Sequence, residues 1–309
     1  MIVARASYLP PKTSGVERYV FLSMPAADEA LKTLHSLQHT IPPFPVIIGV
    51  PTKRPGFPVG VEKTISEAFS SLTNEGIKLF ENEIIQTGHS AGLMALEAGL
   101  KKLRHGAELC LIGGIDSYLE PETLEWLEES DQLHSSGKMN NAWGFVPGEA
   151  AGFCLLATSS AVRRHHLHPL AAVVAATTTI EANLIKTNSV CLGRGLTNAF
   201  ENVLRAMPST SPKIENIICD MNGEPYRADE YGFASTRVSE YFVDVSDFLA
   251  PADCWGDVGA ASGPLFINLA TAAWKKDYAS GPLALLWTSS ESGERSAVVL
   301  HACTSSMEN

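Results

Sequence analysis

Gly88-His-Ser-Ala-Gly92 has the form G-x-S-x-G, and it stands between a strand-like run, Glu83 to Thr87, and a helical run, Ser90 to Leu103. In hydrolases and acyl-transferring enzymes this arrangement carries a serine on a tight strand-to-helix turn, where its hydroxyl meets the substrate. Ser90 is therefore a candidate acyl-accepting nucleophile. Such a serine needs a base. His89 is adjacent, but neighbouring side chains at the start of a helix diverge. After His168 the sequence holds one histidine, His301, in the terminal strand-like run. The competing reading of the same residues has more weight: Gly88 and Gly92 permit a tight turn and close helix packing, with Ser90 as N-cap.

Other groups invite chemistry less strongly. His165, His166 and His168 lie beside Arg163 and Arg164; imidazoles suit zinc, but no fourth ligand is evident and the stretch precedes Pro169, so an exposed linker is expected and no metal site. Glu224, Asp229, Asp253 and Asp257 fall in predicted loops, as an acidic pocket or as helix caps. Gly193-Arg-Gly195 and Gly223-Glu-Pro225 are too short for phosphate loops and read as turns. Cys110, Cys154, Cys191, Cys219, Cys254 and Cys303 are scattered, several in apolar runs, and read as reduced, buried small hydrophobes rather than a disulfide framework.

The elements that would position these residues alternate. Apolar spacing predicts helices over Tyr19 to Leu34, Val61 to Leu72, Ser90 to Leu103, Glu122 to Glu129, Leu196 to Ala206, Ala228 to Tyr241 and Gly259 to Trp274. Strands are expected over Pro43 to Val50, Glu83 to Thr87, Leu109 to Ile112, Gly152 to Leu156, Leu170 to Thr177, Ile214 to Cys219, Pro282 to Trp287 and Arg295 to Ala302. A polar loop covers Leu133 to Asn141. The pattern breaks at Val162-Arg-Arg-His-His-Leu-His-Pro169, which suggests two similar halves, 1–160 and 161–309, in one compact unit. Strands alternating with helices imply an α/β architecture with mostly parallel sheets covered on both faces.

Composition bounds the function class. With 309 residues, 45% apolar and 18% charged, the chain can bury a large core. A formal net charge of −11 argues against nucleic acid as partner, since that role needs clustered cations. No run reaches the roughly 18 apolar residues of a membrane span and the start lacks a signal-peptide core, so a cytoplasmic location is expected.

Several segments, in order across nearly the whole chain, resemble β-ketoacyl synthases of the thiolase-like superfamily. Thr87-Gly-His-Ser-Ala-Gly-Leu-Met-Ala-Leu96 is similar to the family's nucleophile turn and helix, and Cys110-Leu-Ile-Gly-Gly-Ile-Asp116 to the strand and double glycine that follow. Gly144-Phe-Val-Pro-Gly-Glu-Ala-Ala151 resembles its G-F-x-P-G-E-G-A signature. Asp220-Met-Asn-Gly-Glu224 and Trp255-Gly-Asp-Val-Gly-Ala-Ala-Ser-Gly263 look like its two histidine loops, and Ser289-Ser-Glu-Ser-Gly-Glu-Arg-Ser296 like its closing glycine loop. The resemblance implies a five-layer α-β-α-β-α fold of two related halves, normally dimeric, here with the family's opening strand and helix missing or reduced.

The family's catalytic types do not follow. Its cysteine position falls on His89, or on Gly88 without a one-residue shift; its histidines fall on Asn222 and, by the Gly-Ala-Ala anchor, Gly256, next to Asp257. The expectation is a degenerate site at His89, Ser90, Asn222, Gly256 and Asp257 with no cofactor, and a protein inactive in condensation that works by binding. Short thiolase-like proteins encoded beside type VI secretion effectors are similar, which implies a homodimer with a secretion effector or adaptor as partner. The alternative is an acyltransferase or hydrolase of acyl-thioester type acting through Ser90, or a protein that still binds an acyl-thioester as ligand in the family's substrate tunnel.

Overall fold

The computed structural model describes residues 2–37, 41–71, 78–135 and 141–303. Two four-stranded sheets lie between helices. The first has the order β2-β1-β3-β4, from β1 (Phe44–Val50), β2 (Leu79–Gln86), β3 (Leu109–Ser117) and β4 (Glu149–Ala157). The second has the order β5-β8-β7-β6, from β5 (Ala171–Ile180), β6 (Asn216–Cys219), β7 (Leu283–Ser289) and β8 (Glu294–Ala302).

Each central strand buries both faces, and the two-residue side-chain period divides it between cores. In β1, Val46, Ile48 and Val50 face the core under α1 (Gly15–His35) and α2 (Val61–Ser70), while Ile47 faces α3 (Ala91–Arg104) and α9 (Ser262–Lys275). In β7, Leu285 and Trp287 join the core under α6 (Arg194–Arg205) and α7 (Pro225–Arg237), while Ala284 and Leu286 join the same central core as Ile47. Three large cores lie between five layers, ordered helix, sheet, helix, sheet, helix, and a fourth, smaller cluster joins Tyr118, Leu127, Leu133 and Phe145 among the described residues. The α/β thiolase-like architecture is present.

The halves are related but unequal. β1, β3 and β4 are joined parallel then antiparallel, as are β6, β7 and β8. Beyond β8 the second sheet continues into β5; beyond β4, among the described residues, the first sheet has no counterpart.

Several sequence expectations need correction. The second sheet is mainly antiparallel, because β7 and β8 form a hairpin and β5 pairs antiparallel with β8. β3 does not stop at Gly113-Gly114 but runs to Ser117, with both glycines paired against β4. The basic stretch begins inside a short helix, α5 (Ser159–Arg164), and His165 is buried rather than exposed. The expected helix over Gly259 to Trp274 opens with a single 3-10 turn, Gly259–Ala261, because Gly259 is left-handed at φ 48°. Among the cysteines, Cys110 and Cys219 are buried but Cys254 is exposed, and all six are free. Leu72 and much of the polar loop after Leu133 lie outside the described residues.

At Gly114 the first sheet touches the second half: an added Cβ would overlap the carbonyl of Ala260, with Ala261 backbone behind it. Backbone on both sides cannot give way. Gly114→Ala is expected to destabilise the protein by about 1–3 kcal/mol, the usual cost of overpacking, read as a lower urea midpoint at unchanged slope.

Candidate functional site

β2 ends at Gln86 and the chain reverses through Gly88, whose φ of 77° suits a residue without Cβ, into the 3-10 turn Gly88–Ser90 that leads α3. On this turn two side chains part. Ser90 faces the second half, where its hydroxyl hydrogen is shared between the carbonyls of Thr288 and Glu294, both at 3.0 Å, and its N–H donates to Ser290 Oγ at 2.9 Å. It heads α3 without capping it by its side chain, and it has no exposed surface. The hydroxyl is a rivet between the halves, with no imidazole among its partners.

His89 turns the other way, to Asp257. Asp257 lies between α8 (Ala252–Trp255) and the 3-10 turn Gly259–Ala261, held by its N–H donating to Val146 O at 2.7 Å. His89 Nε2 lies 3.0 and 2.9 Å from the two carboxylate oxygens. Asn222 Nδ2 donates to Oδ2 at 2.6 Å and Gly259 N to Oδ1 at 2.8 Å. Asn222 sits on the loop after β6, so the turn before α3, the β6 loop and the segment after α8 converge on one carboxylate.

Arg227, three residues into α7, backs this group. Its Nη1 donates to Asp220 Oδ2 at 3.0 Å and to Ser289 O at 2.9 Å, and Nε lies 3.4 Å from Glu224 Oε2. Nη2 is 3.4 Å from His89 Nε2. With the Nε2 proton directed to Asp257, that contact sets one donor against another and works against the charge on His89.

The electrostatics follow from burial and pairing. Desolvation opposes the imidazolium, but Asp257 more than offsets it while Arg227 subtracts a part, and the His89 pKa is raised. Burial alone would raise Asp257; His89, Arg227 and Asn222 prevail and hold it well below the usual carboxylate range. Asp220 moves upward because burial outweighs Arg227. Pairing thus favours the charged form of both His89 and Asp257.

Above it lies a cavity of about 200 Å³ that His89, Asp257 and Glu224 share with Arg54, Tyr118 and Glu291. No cysteine lines it. Arg54 Nη2 donates to Asp116 Oδ1 at 2.6 Å and stacks over the Tyr118 ring at 4.1 Å. Lys186, from the loop after β5, ties three of the lining residues together: Nζ is 2.5 Å from Glu291 Oε1, 3.1 Å from Glu224 Oε1 and 2.5 Å from Gln132 Oε1.

His89, Asn222 and Asp257 are therefore brought together, whereas Ser90 is not. Gly256, at φ 76°, packs against Ala4 and Val146 and has no side chain to offer, while Asp257 beside it makes the contacts. Of the acidic loop residues, Glu224 and Asp257 reach the cavity; Asp229 lies within α7 and Asp253 within α8. Sequence reading missed Arg54, Asp116, Lys186 and Arg227. Only Arg227 left a trace, three residues after Glu224 in a helix starting at Pro225.

The histidine run forms no ligand set among the described residues. A different group, Glu181, Cys191 and Glu230, has ligand atoms within 4.8 Å of one another. There Arg295 Nε meets Glu230 Oε1 at 2.6 Å and Gly195 N meets Glu181 Oε2 at 2.7 Å, so protein donors already hold both carboxylates.

With this geometry in view, comparison with known proteins defines the class: the chain has the fold of the thiolase-like ketosynthases. Residues 81–161 match the beta-ketoacyl synthase, N-terminal domain, a segment that contains the turn bearing His89. The ketosynthase from module 6 of the bacillaene synthase of Bacillus subtilis 168 is similar over 94% of this chain and 58% of its own, at 16% identity and TM-score 0.70. A type II polyketide ketosynthase bound to a hexaketide and complexed with its acyl-carrier protein matches 97% of this chain and 88% of its own, at 16% identity and TM-score 0.72. The ishigamide ketosynthase/chain length factor matches 96% and 86%, at 17% identity and TM-score 0.66. No curated protein sequence matches the chain.

Asp257→Ala, which strands His89 and Asn222, is expected to cost about 3–5 kcal/mol in chemical denaturation. The pair's contribution should be complete between the unfolded pKa values of Asp and His, about 4 and 6.5. It is lost as pH rises through the raised folded value of His89, and as pH falls through the depressed value of Asp257. A nitrogen NMR titration of His89 checks the first limb. Ser90→Ala should cost about 1–2 kcal/mol and leave that titration unchanged.

Proposed function

We propose that this chain is a ketosynthase-fold protein that does not condense acyl units and works instead by binding, as a homodimer and with a protein partner. The observation that carries the reading is the buried His89–Asp257 pair at the end of the turn where a condensing enzyme needs a thiolate. An imidazole bonded to a carboxylate cannot form the acyl-thioester intermediate. Asn222 can donate a hydrogen bond but does not exchange protons near neutral pH. Burial pushes the Cys154 thiol up to about 12, and this residue does not line the cavity.

Ser90 does not rescue the enzymatic alternative, since its hydroxyl is fully buried and committed to two carbonyls. Two observations favour protein partners. A ketosynthase of this fold is found in complex with an acyl-carrier protein. β4 is also a nine-residue sheet edge, EAAGFCLLA, without lysine or proline, the kind of edge that accepts a strand from a second copy. An effector-loading role in the cytoplasm, as in proteins encoded beside secretion effectors, is the specific form of this proposal. No helix among the described residues is long and apolar enough to cross a membrane.

Pure protein incubated with acyl- and malonyl-thioesters should yield neither condensed product nor a mass adduct, and His89→Cys alone should not change that, because Asn222 and Asp257 still stand where a condensing site needs imidazoles. Formation of condensed product by the wild type would falsify the reading. Sedimentation should give twice the chain mass, and affinity capture from the native host should recover a stoichiometric second protein; recovery of this chain alone would remove the partner role.

A further inference from the structure

We propose that the cavity over His89 is a binding site for a small carboxylate, one oxygen of which accepts a hydrogen bond from His89 Nδ1. This goes beyond a scaffold role and stands on the geometry of the cavity wall.

Each carboxylate lining the cavity already accepts from at least one donor, and donors remain open beside them. Asp257 accepts from His89, Asn222 and Gly259. Asp116 accepts from Arg54 on Oδ1 and from Ala260 N at 3.0 Å on Oδ2. Glu224 is held by Asn222 at 3.0 Å and by Lys186, and Glu291 by Lys186. On the donor side, the bonds of His89 all run through Nε2, which leaves Nδ1 as the nitrogen open to a ligand. Lys53, exposed at the same wall, makes no ion pair among the described residues. A ligand that brings acceptors completes this surface; one that brings only donors finds every facing carboxylate engaged.

Charge and size narrow the class. Around the cavity Lys53, Arg54, His89, Lys186 and Arg227 balance Asp116, Asp220, Glu224, Asp257 and Glu291, so no net negative field opposes an anion while His89 is protonated. Asp257 favours the protonated imidazole, against burial and Arg227. A volume of about 200 Å³ is below the roughly 300–1,000 Å³ of sites for drug-sized ligands, which points to a short-chain acid. The groups facing His89 are Asp257, Asn222 and Asp220 from the second half, Arg227 and Glu224 of α7 and its start, and Glu291 from the β7–β8 turn. Tyr118, Asp116 and Arg54 face it from the first half. All of these but Glu291 are largely buried.

The test uses sodium butyrate as probe and butyramide as the uncharged control. Titration calorimetry on the whole chain at pH 6 should detect butyrate but not butyramide, and butyrate should shift the ring nitrogens of His89 in NMR. Butyrate affinity should fall by about tenfold per pH unit above the His89 pKa, as expected for binding linked to one proton. His89→Phe should lose at least tenfold in affinity, and His89→Gln, which keeps a neutral donor, should retain a weaker, pH-independent affinity. Absence of butyrate binding, equal binding of the amide, or wild-type affinity that ignores pH each overturns the proposal. Those results leave the non-condensing reading intact, just as condensed product from thioesters would defeat that reading without touching this one.

Discussion

A single carboxylate deep between the halves of this molecule collects donors from chain segments more than a hundred residues apart. Asp257 holds His89 from the first half, Asn222 from the β6 loop and its own neighbour Gly259, and each of these bonds fixes a loop that no sheet register controls. A buried charge of this kind is costly unless it is fully satisfied. Its satisfaction requires both halves to be closed against each other, so the site and the five-layer packing depend on one another.

The surrounding ion pairs extend that logic. Arg54 with Asp116 ties the loop after β1 to the end of β3, and Asp116 reaches on to Ala260 in the second half. Arg227 with Asp220 ties α7 to the β6 loop and the end of β7. Lys186 links the loop after β5 to the rim. The place where the two halves converge is a lattice of paired charges around a small cavity. In such a lattice the strongest charged groups are committed to one another.

The same geometry explains why the serine motif misleads. G-x-S-x-G describes a turn, and the turn is real, but which of two adjacent side chains faces the cavity depends on what the second half offers. The carbonyls of Thr288 and Glu294 and the hydroxyl of Ser290 take Ser90; Asp257 takes His89. All four partners lie more than 160 positions away in the chain.

By itself the sequence determined the periodicities, and hence the layers. Apolar runs such as Val46 to Val50 and Leu109 to Ile112 demand burial on both faces, and the order of motifs resembles that of the thiolase-like fold. It also determined which residue types those loops can offer: His89, Ser90, Asn222 and Asp257, and no cysteine in the turn before α3. Only the tertiary structure decided that Asp257 and not Gly256 enters the site, that β7 and β8 form an antiparallel hairpin, and that Arg54, Lys186 and Arg227 belong to the same cluster. These are long-range pairings of charged side chains whose local sequence is ordinary loop and helix start, and electrostatic attraction across a closed interface leaves no periodic mark in the chain.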